Sequence, residues 1–360
     1  MKILIVGFAK LRIMPYLNLY LDNIDRNSNE ISVLYWNRDL KDEDVSQYSD
    51  LHLYEFRCYQ EDEVPKSSKI RSFIKYRAFA LDILRNHTFD RVVVLHSLPG
   101  LLLLDILVRK YSKRYILDYR DSTFEKLFLF RKALGCLIKH SCITLTSSDA
   151  FRQFFPQKYN DKIYTTHNIL EDSLNHRDYE KKESRKVRVA FWGQIRHEEV
   201  NKALIDRLAN DERFELHYYG REQNIAKALK DYVYENYATN VHFHGEYVAT
   251  ERYEFAKVTD VIHNIYHDSN TMLAMGNKYY DGLIFRIPQV CMPGSFMGEL
   301  CEKYNVGVSI SPFDRDFADK LYEYVISLSK QVFNTNADTA LTVVLDEYRK
   351  SVSAIKDALK

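Results

Sequence analysis

Nowhere do the five cysteines (58, 136, 142, 291 and 301) form a CxxC pair or fall into a Cys/His ligand spacing. Their odd number and scatter fit reduced, mostly buried thiols, and no structural metal is inferred. No stretch reaches the roughly 18 uninterrupted apolar residues that a membrane-crossing helix needs; the nearest, LPGLLLLDILV, is broken by Asp105. The opening MKILIVGFAK stops being apolar at Gly7 and has neither a signal-peptide core nor a cleavage site, so a cytoplasmic location is expected. A net charge of only +1 excludes strong bulk attraction to nucleic acid, the first half being slightly basic and the second slightly acidic. GxGxxG is absent after the first strand, where VGFAK holds a single glycine, and this disfavours a dinucleotide cofactor. Internal repeats and low-complexity tracts are also missing.

What the chain does have is core material. It is 46% hydrophobic and 14% aromatic, with 27 tyrosines, enough for packed cores in place of disorder. At 360 residues it exceeds one typical domain of about 150 residues, so two are expected. The first half repeats a short β-branched run, a polar break and an amphipathic helix: KILIV, ISVLYW, RVVVLH, RYILDY, CITLT and KIYTTH are the strands. The charged stretch 171–186 has one leucine and reads as a linker. The pattern then restarts with VRVAFWG, FELHYYG, NVHFHG, DVIHNIY, PQVCM and VGVSI, separated by helices near 198–210, 221–236, 250–257, 278–285, 296–304 and 315–331. Strands alternating with helices imply right-handed crossovers and parallel sheets. The expectation is an α/β protein of two facing, Rossmann-like, doubly wound domains. Residues 1–170 bind acceptor, 171–186 link, 187–336 bind donor, and a helix over 337–360 packs back on the first domain.

In such sheets ligands bind beyond the carboxyl ends of the strands. Gly7 and Gly193 sit at two of those ends, either as plain turns or as places where a ligand approaches the backbone. Arg196 follows Gly193 in a strand-to-helix turn, where a guanidinium suits a phosphate; its neighbour His197 reads as a surface group. In MGNKYYDGLIFRIPQV, Asn277 is a good N-cap, Lys278 stands in the first turn and Asp281 one turn on. The helix start with the ammonium would form an anion site, and Asp281 would accept hydrogen bonds from vicinal hydroxyls. A plainly capped helix is the competing reading. On the other half, His96 ends VLHSLP, and Asp118, Arg120 and Asp121 end the next strand; His96 or Asp121 would orient or deprotonate a hydroxyl.

The run from VRVAFWGQIRHEEVNKAL through VHFHGEY and VIHNIYHDSN to GNKYYDGLIFRIPQVCMPGSFMGEL resembles the donor half of bacterial GT-B glycosyltransferases that build capsular polysaccharides and exopolysaccharides, related to the family-four group. VVVLHSLPGLLLLDILVRK, YILDYRDSTFE and CITLTSSDAFRQFF resemble the acceptor half more loosely. The resemblance implies that Arg196 and Lys278 neutralise the donor diphosphate, Asp281 takes the place of the second acid of a paired-glutamate motif, and Asn264 and Tyr266 line the donor pocket. It also implies a nucleotide sugar as substrate, a lipid-linked or oligosaccharide acceptor, and retention of anomeric configuration. Ala274 stands where the first acid belongs, and Glu299 resembles part of the following loop.

Two cations and a helix start stabilise a leaving diphosphate without a metal. The triplets DED (42–44) and DRD (314–316) lie in polar stretches away from strand ends, so metal independence is expected. The segments KSSKIRSFIKYRAFAL (66–81) and FEKLFLFRKALGCLIKH (124–140) interleave cations with Ile70, Phe73, Ile74, Phe79 and aromatic or leucine side chains, fitting either core packing or an anionic membrane surface. Competing functions are a nucleotide-sugar epimerase of similar architecture and a non-catalytic partner subunit that binds a nucleotide sugar.

Overall fold

β-Branched and aromatic runs give thirteen strands among the described residues of the computed structural model, which are 1–60, 69–169 and 171–360. The chain divides into two compact units: residues 1–167 with 346–360, and residues 168–345. Lys66, Ser67 and Ser68, the start of the first basic segment, lie outside the described residues.

The first unit runs β1 (Lys2–Val6), α1 (Asn18–Leu21), β2 (Glu30–Asn37), β3 (His52–Arg57), α2 (Ile70–Asn86), β4 (Arg91–Leu95), α3 (Ser97–Leu102), α4 (Leu104–Lys110), β5 (Tyr115–Tyr119), α5 (Phe128–His140), β6 (Thr144–Thr146) and β7 (Ile163–Thr165). Its seven strands are all parallel, in the order β3-β2-β1-β4-β5-β6-β7. A parallel sheet is covered on both faces, so β1, β4 and β5 are almost wholly buried and read as continuous apolar runs. Strand β3 escapes that signature, because HLYEFR alternates and stays half-exposed at the sheet edge. The β1–β2 connection, expected as a helix, consists of two 3-10 turns, Leu11–Ile13 and Pro15–Leu17, and the single turn α1.

The second unit carries β8 (Val187–Trp192), α6 (Glu198–Leu208), β9 (Phe214–Tyr219), α7 (Asn224–Glu235), β10 (Val241–Gly245), α8 (Arg252–Lys257), β11 (Val261–Asn264), α9 (Asn277–Ile284), β12 (Gln289–Cys291), α10 (Phe296–Lys303), β13 (Gly307–Ser309) and α11 (Phe317–Ser327). Its six parallel strands are ordered β10-β9-β8-β11-β12-β13. In each sheet the order reverses beside the unit's first strand, at β1/β4 and at β8/β11, which opens a crevice at the carboxyl ends.

Helix α12 (Lys330–Ala358) begins seven residues before the expected 337, and the unit boundary falls within it. Its Ile355, with Leu359 beyond its end, joins Ile3, Val33 and Val93 in the first unit's core. Residues 171–186 are more than a linker: Arg286 pairs Asp338 at 3.0 Å, Arg177 joins the same carboxylate, Tyr179 Oη donates to the Phe285 carbonyl at 2.7 Å, and the His176 ring stacks 3.7 Å from Tyr253. Charge pairs and ring stacking tie down a segment too polar to hold itself by apolar burial. No described helix is long and apolar enough to cross a membrane.

Because the Ile355 side chain is fully buried, Ile355→Ala is expected to leave a cavity. It should lower unfolding free energy by about 2–5 kcal/mol in a denaturant titration.

Candidate functional site

The crevice of the second unit is built from the ends of β8 and β11 and the start of α9. Strand β8 stops at Gly193, whose φ of +131° lies where L side chains strain. Gly220, ending β9, meets it so closely that an added Cβ would sit 1.7 Å from the Gly193 carbonyl oxygen. Two side-chain-free strand ends thus leave room above the sheet, and the nearest atom to a Cβ built on Gly193 is the Lys278 Nζ, 3.8 Å away.

Lys278 decides the chemistry. Its side chain is 6% exposed, yet no carboxylate pairs with it among the described residues. Its ammonium lies 4.1 Å from the Phe191 ring centre and 5.0 Å from that of Tyr266, and donates to the Tyr266 hydroxyl. Ring faces attract a cation by about 0.5–2 kcal/mol, less than the several kcal/mol that burying an ion costs. A charge so placed favours an anion. Helix α9 begins beside it, with first N–H groups that have no intrahelical acceptor.

Gly193, Arg196, Tyr266, Asn277, Lys278 and Asp281 all line one cleft of about 570 Å³, with Trp192, Tyr247, Arg252 and Ala274. Three cations, Arg196, Arg252 and Lys278, oppose one carboxylate. Arg196 is exposed and its Nη2 donates to Gln194 Oε1 at 2.7 Å. Trp192 Nε1 is buried and finds no acceptor among the described residues.

The turn bearing Arg196 is held from behind. Asn201, 2% exposed on α6, donates to the carbonyls of Arg196 (2.6 Å) and His197 (3.0 Å) and accepts from Tyr218 Oη (3.0 Å) and His263 Nε2 (3.2 Å). His263 Nδ1 accepts from the Ile265 N–H at 3.1 Å. Burial, reinforced by the Lys278 and His197 charges, pushes the His263 imidazole down to about 3, so it stays neutral.

Several expectations change. Asn277 is the first helical residue and Gly276 takes the N-cap place, so the amide side chain caps nothing. Asn264 is fully buried, donates to Gln289 Oε1 at 2.6 Å and does not line the cleft. Asp281 lines it, but both its oxygens take hydrogen bonds from Arg252 Nη1, at 2.9 and 3.1 Å. Burial raises the Asp281 carboxyl above its usual range, with Arg252 and Lys278 opposing. His197 is no surface group; it is half-buried with φ of 60°, 3.3 Å from an Asp268 oxygen, and burial lowers its pKa. Glu299 stands in the first turn of α10, which Ser295 caps.

In the first unit, His96 closes β4 at φ 90° and its Nε2 lies 3.4 Å from Asp121 Oδ2, so this expected pair is in contact. His96 Nδ1 is buried and finds no partner among the described residues. Asp118 and Arg120 are buried in a mutual ion pair of 2.7 Å, which Tyr20 Oη joins through a 2.7 Å bond to Asp118. They are structural. The close approach that Gly7 permits is taken by the Met14 side chain, 2.7 Å from an added Cβ, and its carbonyl accepts from Tyr76 Oη at 2.6 Å. Gly7 is a packing residue.

Sequence reading missed Arg252, Tyr247, Asn201 and His263. Arg252 sits 29 positions before its partner, and no local spacing links the two.

No family model and no curated protein sequence matches this chain. Solved structures do. A glycosyltransferase from Rickettsia africae superposes with a TM-score of 0.71 at 12% identity, covering 100% of this chain and 99% of that one. A sucrose-phosphate synthase from Thermosynechococcus elongatus gives 0.72 at 10% identity, covering 100% and 98%. HepE from Anabaena, solved with UDP and glucose, gives 0.65 at 14% identity, covering 100% and 98%. At these identities the likeness establishes the fold: two parallel-sheet α/β domains of the GT-B type.

An imidazole neutral in the fold and titrating near 6.5 when unfolded binds fewer protons in the native state at acid pH. Stability should therefore fall as pH drops from about 6.5 toward 3. His263→Gln should flatten that slope by up to one proton, read from denaturant titrations across the pH range.

Proposed function

We propose that the chain is a glycosyltransferase whose nucleotide-sugar donor sits in the second unit's cleft with its diphosphate on Lys278 and Arg196. The observation that carries this reading is the buried Lys278 ammonium, backed by rings, without a carboxylate partner among the described residues and set at a helix mouth. The UDP seen in HepE, a protein of the same fold, supports it.

In the transfer, an acceptor hydroxyl oxygen bonds to the anomeric carbon while the bond from that carbon to the diphosphate oxygen breaks. Negative charge collects on the departing phosphate, and two fixed cations with free helix N–H groups stabilise it. No metal is required for that. Asp281, the carboxylate lining the cleft, is engaged by Arg252, which favours a route with no protein nucleophile. In such a route the leaving phosphate accepts the hydroxyl proton and configuration is retained. His96 and Asp121 are proposed to orient the acceptor hydroxyl. A second reading, a subunit that binds a nucleotide sugar without transfer, draws on Ala274, which lines the cleft without a polar side chain.

The acceptor we favour is a lipid-linked saccharide of surface-polysaccharide synthesis, met at an anionic membrane. Phe73 and Phe79 of α2 pack against Phe8 and Phe56, so core packing accounts for part of the apolar pattern. Ile70, Ile74, Leu127, Phe128 and Leu129 remain exposed, interleaved with the exposed cations Arg71, Lys75, Lys126, Arg131 and Lys132. Each cation near an anionic leaflet adds about 1 kcal/mol.

With a panel of nucleotide sugars and a lipid-linked acceptor, Lys278→Ala and Arg196→Ala are each expected to cut turnover by about 10²–10³-fold. EDTA should leave the wild-type rate unchanged. Saturable nucleotide-sugar binding with neither nucleotide release nor transfer to any acceptor would favour the binding-subunit reading. In vesicle flotation, the protein should rise with anionic but not with zwitterionic lipid, and Ile74→Ser with Phe128→Ser should remove most of that binding.

A further inference from the structure

Three histidines lie on the open face of the second unit's sheet, outside the cleft. His217 of β9 stands directly across from His242 of edge strand β10, their rings stacked 4.9 Å apart. Residues two apart on a strand share a face, so the H-x-H of NVHFHG turns His244 the same way. The pairing register shifts between Phe243 and Gly245, and the bulge re-aims His244. Its ring stacks 4.2 Å from Tyr219, and its Nε2 comes 3.0 Å from His217 Nδ1.

We propose that His217 Nδ1 and His244 Nε2 form a chelating seat for a divalent late-transition ion, Ni²⁺ or Cu²⁺, distinct from the cleft. Two imidazole nitrogens held together by one shared proton are placed as two ligands of one ion. With metal–nitrogen bonds of about 2.05 Å, a 3.0 Å separation subtends about 94° at the ion, close to the right angle of tetragonal Cu²⁺ and Ni²⁺ sites.

The surroundings set the tautomers. Glu215 Oε2 lies 3.6 Å from His217 Nε2, beyond hydrogen-bond reach, and its negative charge favours the tautomer with the proton on that nitrogen and the Nδ1 lone pair toward His244. Lys186 sits on the other side of Glu215, at 3.7 Å. When the ion enters, the His244 proton moves through solvent from Nε2 to Nδ1 and no net proton is lost. Burial and the neighbouring rings lower His217 to about 4 and also lower His244, so both are neutral ligands near pH 7. Among the described residues no three such groups already converge on a point. The protein thus supplies two nitrogens, and water, with His242 after a ring rotation, completes the shell. From His244 a run of rings, Tyr219, Phe255 (4.0 Å) and Tyr247 (5.2 Å), reaches the cleft wall.

The test uses the full chain with no affinity tag and Ni²⁺ alone, titrated by calorimetry near neutral pH. One ion per chain is expected, with His217→Ala and His244→Ala each weakening binding at least about tenfold. His52→Ala and His87→Ala, in the first unit, should leave it unchanged. Circular dichroism matching wild type qualifies each variant. Cu²⁺ spin resonance on the wild-type chain, which needs no variant, should show two equatorial nitrogens. Absence of saturable binding, wild-type affinity in His217→Ala or His244→Ala, or an oxygen-only copper spectrum would overturn the proposal.

Discussion

A lysine ammonium buried beside two aromatic faces, with no acid to answer it among the described residues, is the constraint around which the second unit's cleft is arranged. Lys278 reaches that position because Phe191 on β8 and Tyr266 just past β11 supply ring surface, and because Gly193 has no side chain to occupy the space. An aliphatic residue in place of either ring would remove a cation–ring contact, and an acidic one there would neutralise the charge within the protein. Ring contacts recover only part of the desolvation cost. The uncompensated charge is the physical ground for the proposed diphosphate site, since an anion there would supply what the rings do not.

Around that centre, charges of similar appearance have different duties. Arg252 and Asp281 cancel each other at 2.9 Å, both about nine-tenths or more buried, and so set a wall without adding net charge. Arg196, by contrast, is exposed and, among the described residues, its guanidinium is held through Gln194 alone, which leaves it accessible to a ligand. Asn201 gives that arrangement its rigidity. Its amide uses every donor and acceptor it has, two on the turn and two on the neutral core groups Tyr218 and His263. A protonated His263 would still donate to Asn201 but would lose its Nδ1 acceptor for the Ile265 amide.

The architecture was legible in the sequence wherever burial on both sheet faces forces continuous apolar runs, as in KILIV, RVVVL and VRVAFW. It was illegible at β3, whose edge position lets polar residues alternate. Strand-end residues were half legible. Position after a strand located Gly193, Arg196 and His96, since topology delivers every such residue to the same end of the sheet, and a helix start located Lys278. Position does not say which way a side chain points, and so Asn264 turned inward to Gln289 and the space above Gly7 went to Met14. Arg252, Asn201 and His263 were invisible because their partners lie 29, 17 and 62 residues away. Pairings at those separations are set by the packing of elements, and spacing carries no trace of them.

The two strand-end loci differ in the sign of what they offer. The second unit's cleft presents cations, whereas the first unit's presents an imidazole and a carboxylate 3.4 Å apart on a residue held at φ 90°. Backbone held in so sparse a region costs of order 1–3 kcal/mol, and at His96 it is sustained by the N–H bond to the Asp118 carbonyl at 2.7 Å. That carbonyl belongs to the residue whose carboxylate is locked by Arg120 and Tyr20. The buried triad therefore fixes the strand end, and the strand end fixes His96 toward Asp121. Group transfer needs one place to steady departing negative charge and another to position an oxygen nucleophile. In the proposed transfer the cation-lined cleft serves the first need and the strained histidine–carboxylate pair the second, each held rigid by its own buried polar network.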